Sequence, residues 1–317
     1  MNYEEKIELA TRAAWLSYIG GVTQQDIANS LNLSRQTSQR LIAYAKEIGI
    51  VNITISSSIT KCLELEEQLR NKFSLKFVKV APCINQSEAV RKNIIYNIGA
   101  NTISNFILNT HAGSVIGFGS GRFLKNSLSR LNNDISRPDI SCVSNVGAFA
   151  LDGSCSQYEV TALFAEKTKS KRYMLAAPIF TSNISEKKFF TENELYKNIK
   201  SKNIQADPVF LGIGQVFVGC QINESGFITK DQIEDLQRKG AIGEINGFFF
   251  DKNGKRIISH LDILCTSFEL DTSNKKTIIA ICGGKGKALS LKAAMIAKYI
   301  NGLVTDEQTA MEILENT

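Results

Sequence analysis

Two turns in this chain carry residue types suited to holding an anion. The first is Val115-Ile116-Gly117-Phe118-Gly119-Ser120-Gly121-Arg122, an apolar run that passes through glycines into a helical pattern. Glycines let backbone N–H groups approach a phosphate, a helix N-terminus adds partial positive charge, and Arg122 can clamp the ligand's oxygens. The spacing is G-x-G-x-G, so the dinucleotide fingerprint G-x-G-x-x-G is not met, and a tight turn with no ligand is the alternative. The second turn is Ile281-Cys282-Gly283-Gly284-Lys285-Gly286-Lys287. A P-loop is rejected there, because Ile281 stands where its first glycine belongs and Ala288 replaces the metal-binding Ser/Thr. Lys287 at the mouth of a helix still suits a phosphate. Two such turns at strand C-terminal ends predict a small phosphorylated ligand in a crevice between them.

A different chemistry is written near the N-terminus. Arg35, Gln36, Gln39 and Arg40 lie on the polar side of a predicted helix, 35–48, and these are side-chain types that pair with guanine and adenine edges. Thr23 and Thr37 suit phosphate contacts that set register. The elements needed to position them are legible. A helix over 4–19 presents Leu9, Ala13 and Leu16 on one face and ends at Gly20-Gly21. Thr23 caps a short helix over 24–30, Asn32 tolerates the left-handed turn, and Ser34 caps the third helix. Ile27, Ala28, Leu31, Asn32, Leu33, Ser34 and Leu41 together match a helix-turn-helix in type and spacing. Ser38 departs from it, standing where such helices usually bury Val or Ile.

Beyond this head the pattern changes to alternating strands and helices. A β-like stretch over 50–55 precedes a helix over 61–72 with Leu63 and Leu69 on its apolar side. Strands are predicted at 77–81, 114–119, 140–144, 173–177, 208–214 and 277–282, with helices at 87–108, 122–131 and between most of the others. This predicts an α/β domain with a largely parallel sheet over 56–317, preceded by a small all-α domain over 1–55.

Composition sets the outer bounds. The chain has 317 residues, 43% apolar and 21% charged, which excludes a disordered chain and supports about two domains. Lys and Arg number 37 against 31 acids. The net charge of +6 lies entirely beyond residue 55, because the first 55 residues are balanced and positive only along 34–46. No apolar run is long enough to span a bilayer, and MNYEEKIELA reads as neither a signal nor a transit peptide, so a cytoplasmic protein is expected. Seven scattered cysteines without a C-x-x-C pair, and only two histidines, predict no metal site and no disulfide framework.

Along nearly its whole length the sequence resembles the SorC-type bacterial transcriptional regulators. The resemblance is carried by Arg12-Ala13-Ala14-Trp15 and Gly21-Val22-Thr23-Gln24-Gln25-Asp26-Ile27-Ala28 in the head. Further on it rests on the Gly117–Gly121 turn, Val143-Ser144-Asn145-Val146-Gly147, Ala177-Pro178 and Gly212-Ile213-Gly214. Gly240-Ala241-Ile242-Gly243-Glu244-Ile245-Asn246-Gly247, Phe249-Phe250-Asp251, Gly283-Gly284-x-x-Lys287 and Val304-Thr305-Asp306 complete it.

It implies a Rossmann-like effector domain of the type shared with sugar-phosphate isomerases and deaminases, a phosphorylated sugar or sugar-like effector, no cofactor, and homodimers or homotetramers on palindromic double-stranded operators. By the same resemblance Gly119, Ser120, Gly121, Arg122, Phe123 and Lys287, with Gly283 and Gly284, would hold the phosphate. Asn145, Gly147, Gln215 and Glu244 would line the sugar end. Arg122-Phe123, Asn145 and Glu244 depart from the usual residues, which implies an effector of different size or polarity. Two other readings remain at this stage. One is an isomerase- or deaminase-like enzyme fused to a DNA-binding head, with Glu244 or Asp152 as base, although neither sits in a recognisable catalytic motif. The other is a constitutive DNA binder whose effector pocket has decayed.

Overall fold

In the computed structural model, which describes residues 3–51, 58–83, 86–132, 135–269 and 271–315, the chain forms two compact units, Met1–Ser57 and Ser58–Thr317. The first is a three-helix unit of α1 (Tyr3–Tyr18), α2 (Gln24–Ser30) and α3 (Arg35–Glu47). Its core is Ala10, Ala13, Ala14, Ile27, Leu41, Ile42 and Ala45, with Leu9 and Leu16 packed at its edge. Alanines along α1 let α3 approach closely. Thr23 accepts the Asp26 N–H and Ser34 accepts the Thr37 N–H, so both caps form as the local chemistry requires. Asn32 takes φ +54° in the turn between α2 and α3.

The second unit opens with α4 (Ser58–Phe73), and its chain then builds a seven-stranded parallel sheet and a three-stranded antiparallel one. The strands are β1 (Phe77–Ala81), β2 (Val115–Phe118), β3 (Ser141–Ser144), β4 (Lys171–Tyr173), β5 (Val209–Leu211), β6 (Gly214–Gln215), β7 (Gly243–Ile245), β8 (Phe248–Phe250), β9 (Ile278–Ile281) and β10 (Gly302–Asp306). The large sheet runs β1-β10-β9-β5-β2-β3-β4. From β2 the chain moves outward through β3 and β4, then returns to β5 on the other side of β2 and moves away through β9. The boundary between β2 and β5 is therefore a switch point, where the connections leave in opposite directions and a crevice opens at the strand C-terminal ends.

Apolar residues alternate strictly between the two faces of this sheet. Val209, Leu211, Ile278 and Ala280 join one core cluster, while Phe210, Ile279, Ile281, Ile116 and Phe118 join the other. A strand buried on both faces reads as a continuous apolar run, as in Ile278–Ile281. Helix α5 (Glu88–Leu108), capped by Ser87, and helix α6 (Arg122–Ser129) pack against each other on the second of these faces.

Several boundaries differ from the sequence reading. On α4 the buried apolar positions are Cys62, Leu65 and Leu69, with the carboxylate of Glu66 buried beside them, whereas Leu63 is 54% exposed, because Cys62 acts as the small apolar residue of the inner face. The strand expected at 173–177 lies instead at Lys171–Tyr173. Pairing with β3 ends at Val143–Tyr173, and the Leu175 and Ala177 carbonyls turn to the Ala148 N–H. The strand expected at 208–214 splits into β5 and β6, which belong to different sheets. Ile50 and Val51 are not in a strand, and the remainder of the stretch expected over 50–55 lies outside the described residues.

Candidate functional site

A cavity of about 260 Å3 sits at the switch point. Its walls are the turns after β2, β5 and β9, the three-stranded sheet, and the segment 216–228 that follows β6. Two glycines bring the first two turns together. Gly121 has φ +147°, and a Cβ there would lie 3.0 Å from the Gly212 Cα, so the turns pack backbone to backbone. Helix α6 starts at this junction, and no side chain caps it.

Three polar side chains knit the cavity's floor. Lys287 Nζ donates to the Ile213 carbonyl at 2.6 Å. Gln215 Nε2 donates to the Gly286 carbonyl at 2.8 Å, linking β6 to the turn after β9. Glu244 Oε1 accepts the Gly247 N–H at 2.6 Å. Burial pushes the Glu244 carboxyl's pKa up, opposed by that N–H and by the Lys287 charge. Arg122 stands at the rim, 3.7 Å from Glu224 on the short helix Gln221–Glu224.

Of the residues assigned to the effector from sequence, Ser120, Gly121, Arg122, Phe123, Gln215, Glu244 and Lys287 line this one cavity. Gly119, Asn145, Gly147, Gly283 and Gly284 do not. The Gly119 N–H is spent on the Phe210 carbonyl. The Asn145 carboxamide accepts from Asn203 at 2.7 Å and lines a separate cavity of about 220 Å3. Gly147 packs onto the backbone of 177–179 and donates to Ser267 Oγ. The Gly284 N–H is taken by Asp306 Oδ2 at 2.9 Å and Thr309 Oγ1 at 3.0 Å, and a Cβ at Gly283 would meet the same carboxylate. These two glycines shape the turn that presents Lys287. Asp152, the second candidate base, is exposed and bonded to Ser154, whose N–H and hydroxyl hold its carboxyl below the usual range.

The sequence reading missed the segment 216–228, which contributes Phe217, Cys220, Gln221, Glu224 and Ser225 to the cavity. It also took the Asn246-Gly247 pair only as part of the family resemblance, whereas the pair is a hairpin signal that joins β7 to β8 with both residues at positive φ. The Asn246 carboxamide is buried behind Gly119 with neither end hydrogen-bonded among the described residues.

In the three-helix unit, Arg35, Gln36, Gln39 and Arg40 are all exposed on α3, and Ala43 continues their face one turn on. Thr23 and Ser34 are engaged as caps, and the half-buried Thr37 bonds Ser34 Oγ at 2.8 Å. Ser38 points inward, fully buried, and its hydroxyl has no partner among the described residues.

No group of His, Cys, Asp and Glu among the described residues is arranged to hold a metal ion. The described cysteines are free thiols, all buried except Cys155. No helix among the described residues is long and apolar enough to cross a membrane.

A helix-turn-helix unit followed by an α/β domain with a polar cavity at its switch point is the architecture of a ligand-responsive transcriptional regulator. A family model described as "Putative sugar-binding domain" matches residues 57–315. The transcriptional regulator LsrR of Escherichia coli K12 is 32% identical over 314 residues, covering 98% of this chain and 95% of LsrR. The erythritol catabolism regulatory protein EryD of Brucella abortus is 29% identical over 307 residues, covering 96% of each chain. The crystal structure of the full-length sorbitol operon regulator SorC from Klebsiella pneumoniae superposes with a TM-score of 0.72 at 28% identity, covering 97% of this chain and 98% of that one. The chain belongs to this SorC family of transcriptional regulators and carries its sugar-binding domain.

Proposed function

We propose that the protein regulates a carbohydrate-utilisation operon from the cytoplasm, reading operator DNA with α3 and responding to a phosphorylated sugar or sugar-like effector bound in the switch-point cavity. The observation that carries the effector reading is the meeting, in one cavity, of the uncapped α6 N-terminus, Arg122 and Lys287 with the polar Gln215 and Glu244. The first three complement a phosphate and the last two complement hydroxyls. Lys287 spends one of its three donors on Ile213 and keeps the others for a ligand.

On the DNA side, Arg35, Gln36, Gln39 and Arg40 form the exposed face that would enter a major groove, with the capped ends of α2 and α3 near phosphates. A balanced head binds weakly alone, so we read the active species as a homodimer or homotetramer on a palindromic site. We read the cavity as regulatory and not catalytic. Of the two carboxylates in its wall, the half-buried Glu244 has a raised pKa, one oxygen of it is engaged by Gly247, and Asp152 is not in the cavity wall.

The test is fluorescence anisotropy of the full chain on DNA from upstream of its own operon. It is run with and without D-ribose 5-phosphate, D-glucose 6-phosphate, D-fructose 6-phosphate and phosphorylated four- to six-carbon polyols. The proposal expects one of these to change operator affinity at least about fivefold, the lower end of ordinary allosteric coupling. Operator affinity unmoved by all of them, with none bound by calorimetry, would overturn it.

A further inference from the structure

We propose that Asp306 is the positioning residue for Lys287, fixing the turn that presents its ammonium group to the effector's phosphate; this rests on the effector reading above. The turn after β9 contains Gly283, Gly284 and Gly286, and the last two take φ +91° and +77°. Glycine has more backbone freedom to lose than any other residue. A lysine at the far end of such a turn is placed accurately only if the turn is tied down.

Asp306, the last residue of β10, ties it down from a fully buried position. Its Oδ2 accepts the Gly284 N–H at 2.9 Å and the Thr309 hydroxyl at 2.5 Å. Its Oδ1 accepts the Thr309 N–H at 3.1 Å and the Cys83 thiol at 3.5 Å. Thr309 Oγ1 accepts the same Gly284 N–H at 3.0 Å, so two acceptors hold that one donor. On its other side, the Gly284 carbonyl accepts the Lys287 N–H at 3.2 Å. Asp306 and the Lys287 backbone are therefore joined by two hydrogen bonds through a single glycine. Neither Asp306 nor Thr309 lines the cavity, so each acts on a ligand only through the turn.

The chemistry of the junction asks for a carboxylate. Both oxygens accept, and each meets two donors. A carboxamide of the same shape has one accepting end, so its NH2 would face two of those donors whichever way it turned. The donors also come from distant parts of the chain: the turn after β9, the helix Glu307–Glu315, and Cys83 just beyond β1. Arg91 on α5 brings its guanidinium to 3.9 Å from Oδ1. Gln215 holds the turn from the cavity side, through the Gly286 carbonyl. Support from packed elements on both sides is what keeps a binding group in one geometry before its ligand arrives.

A double-mutant cycle on the full chain tests this, by calorimetry with D-ribose 5-phosphate, D-glucose 6-phosphate and D-glucitol 6-phosphate. The proteins are wild type, Asp306→Asn, Lys287→Met and the double variant. Asp306→Asn should weaken binding of the tightest sugar phosphate about tenfold when Lys287 is intact, and by no more than about twofold in the Lys287→Met background. An equal loss in both backgrounds is what a merely structural carboxylate would give. That result, or wild-type affinity in Asp306→Asn, would overturn the assignment while leaving the effector site standing. Thr309→Val removes the hydroxyl shared by Gly284 and Asp306, and should bind about three- to fivefold more weakly, again only with Lys287 intact. Thr309→Ser keeps the hydroxyl and should match wild type. This pair decides the matter if Asp306→Asn does not fold, and equal affinity of the two would then overturn the assignment. Wild-type protein that binds none of the sugar phosphates would instead remove the effector reading, and the role of Asp306 with it.

Discussion

Arg122 and Glu224 face each other at 3.7 Å at the rim of the cavity, one on α6 and the other on the segment 216–228. Both are about half exposed, with side chains at 50% and 61%, so the pair contributes little to stability. Its interest lies in competition, because a phosphate at the α6 N-terminus would seek the same guanidinium. Glu224→Gln should therefore tighten sugar-phosphate binding by about two- to fivefold, the equivalent of a surface ion pair. Binding of the unphosphorylated parent sugar should not change. Parallel calorimetric titrations of the two ligands check this.

Glu244 makes stability depend on pH. Its folded-state pKa lies above the ordinary 4.5 because burial disfavours the charged form. Below about 4.5 the carboxyl is neutral in both states and costs nothing; as pH rises through the folded value, a buried charge must form and stability falls. Effector-free Glu244→Gln, whose amide oxygen can still accept the Gly247 N–H, should be more stable than wild type at neutral pH. The two denaturation midpoints should converge as pH approaches 4.5. A constant offset across that range would mean that the carboxyl does not titrate as described.

The buried hydroxyl of Ser38 sits under α3 with nothing to bond. Ser38→Ala removes an unsatisfied group and adds helix propensity, so it should stabilise the three-helix unit by about 1 kcal/mol. The chain has one tryptophan, Trp15 on α1, whose emission reports on this unit during denaturation.

Arg35 and Gln39 stand exposed on α3, away from its core face. If they touch base edges, Arg35→Ala and Gln39→Ala should each cost about 1–3 kcal/mol on the cognate site and relax preference there. Uniform weakening on every sequence would make them phosphate contacts. Competition binding against single-base operator variants separates the two outcomes.

What was legible in the sequence was local chemistry. Thr23, Asn32 and Ser34 announce caps and a turn because those residue types satisfy backbone groups one to three positions away. The turn 117–121 announces itself because only glycine permits such a close approach, and Gly121 against Gly212 is that approach. The rest depended on where distant elements fall. Asn145 follows β3 at the right end of the sheet, yet its side chain leans to Asn203, 58 residues on, and not into the cavity. Segment 216–228 has neither strong periodicity nor a motif, and its place over the cavity comes from packing against the three-stranded sheet. Leu69 faces the core as its spacing indicates, but Leu63 does not, because Cys62 and Leu65 take the rest of the inner face of α4.

The most direct test of the account is the phosphate dependence of ligand binding in wild type and Lys287→Met. The variant keeps the aliphatic stem and loses the ammonium group that donates to Ile213. Kd is measured by calorimetry for the strongest sugar-phosphate ligand and for its unphosphorylated parent. The account predicts that wild type prefers the phosphorylated form at least tenfold and that Lys287→Met loses most of this preference while still binding operator DNA. Equal affinity of wild type for the two ligands, or an undiminished preference in the variant, would contradict it.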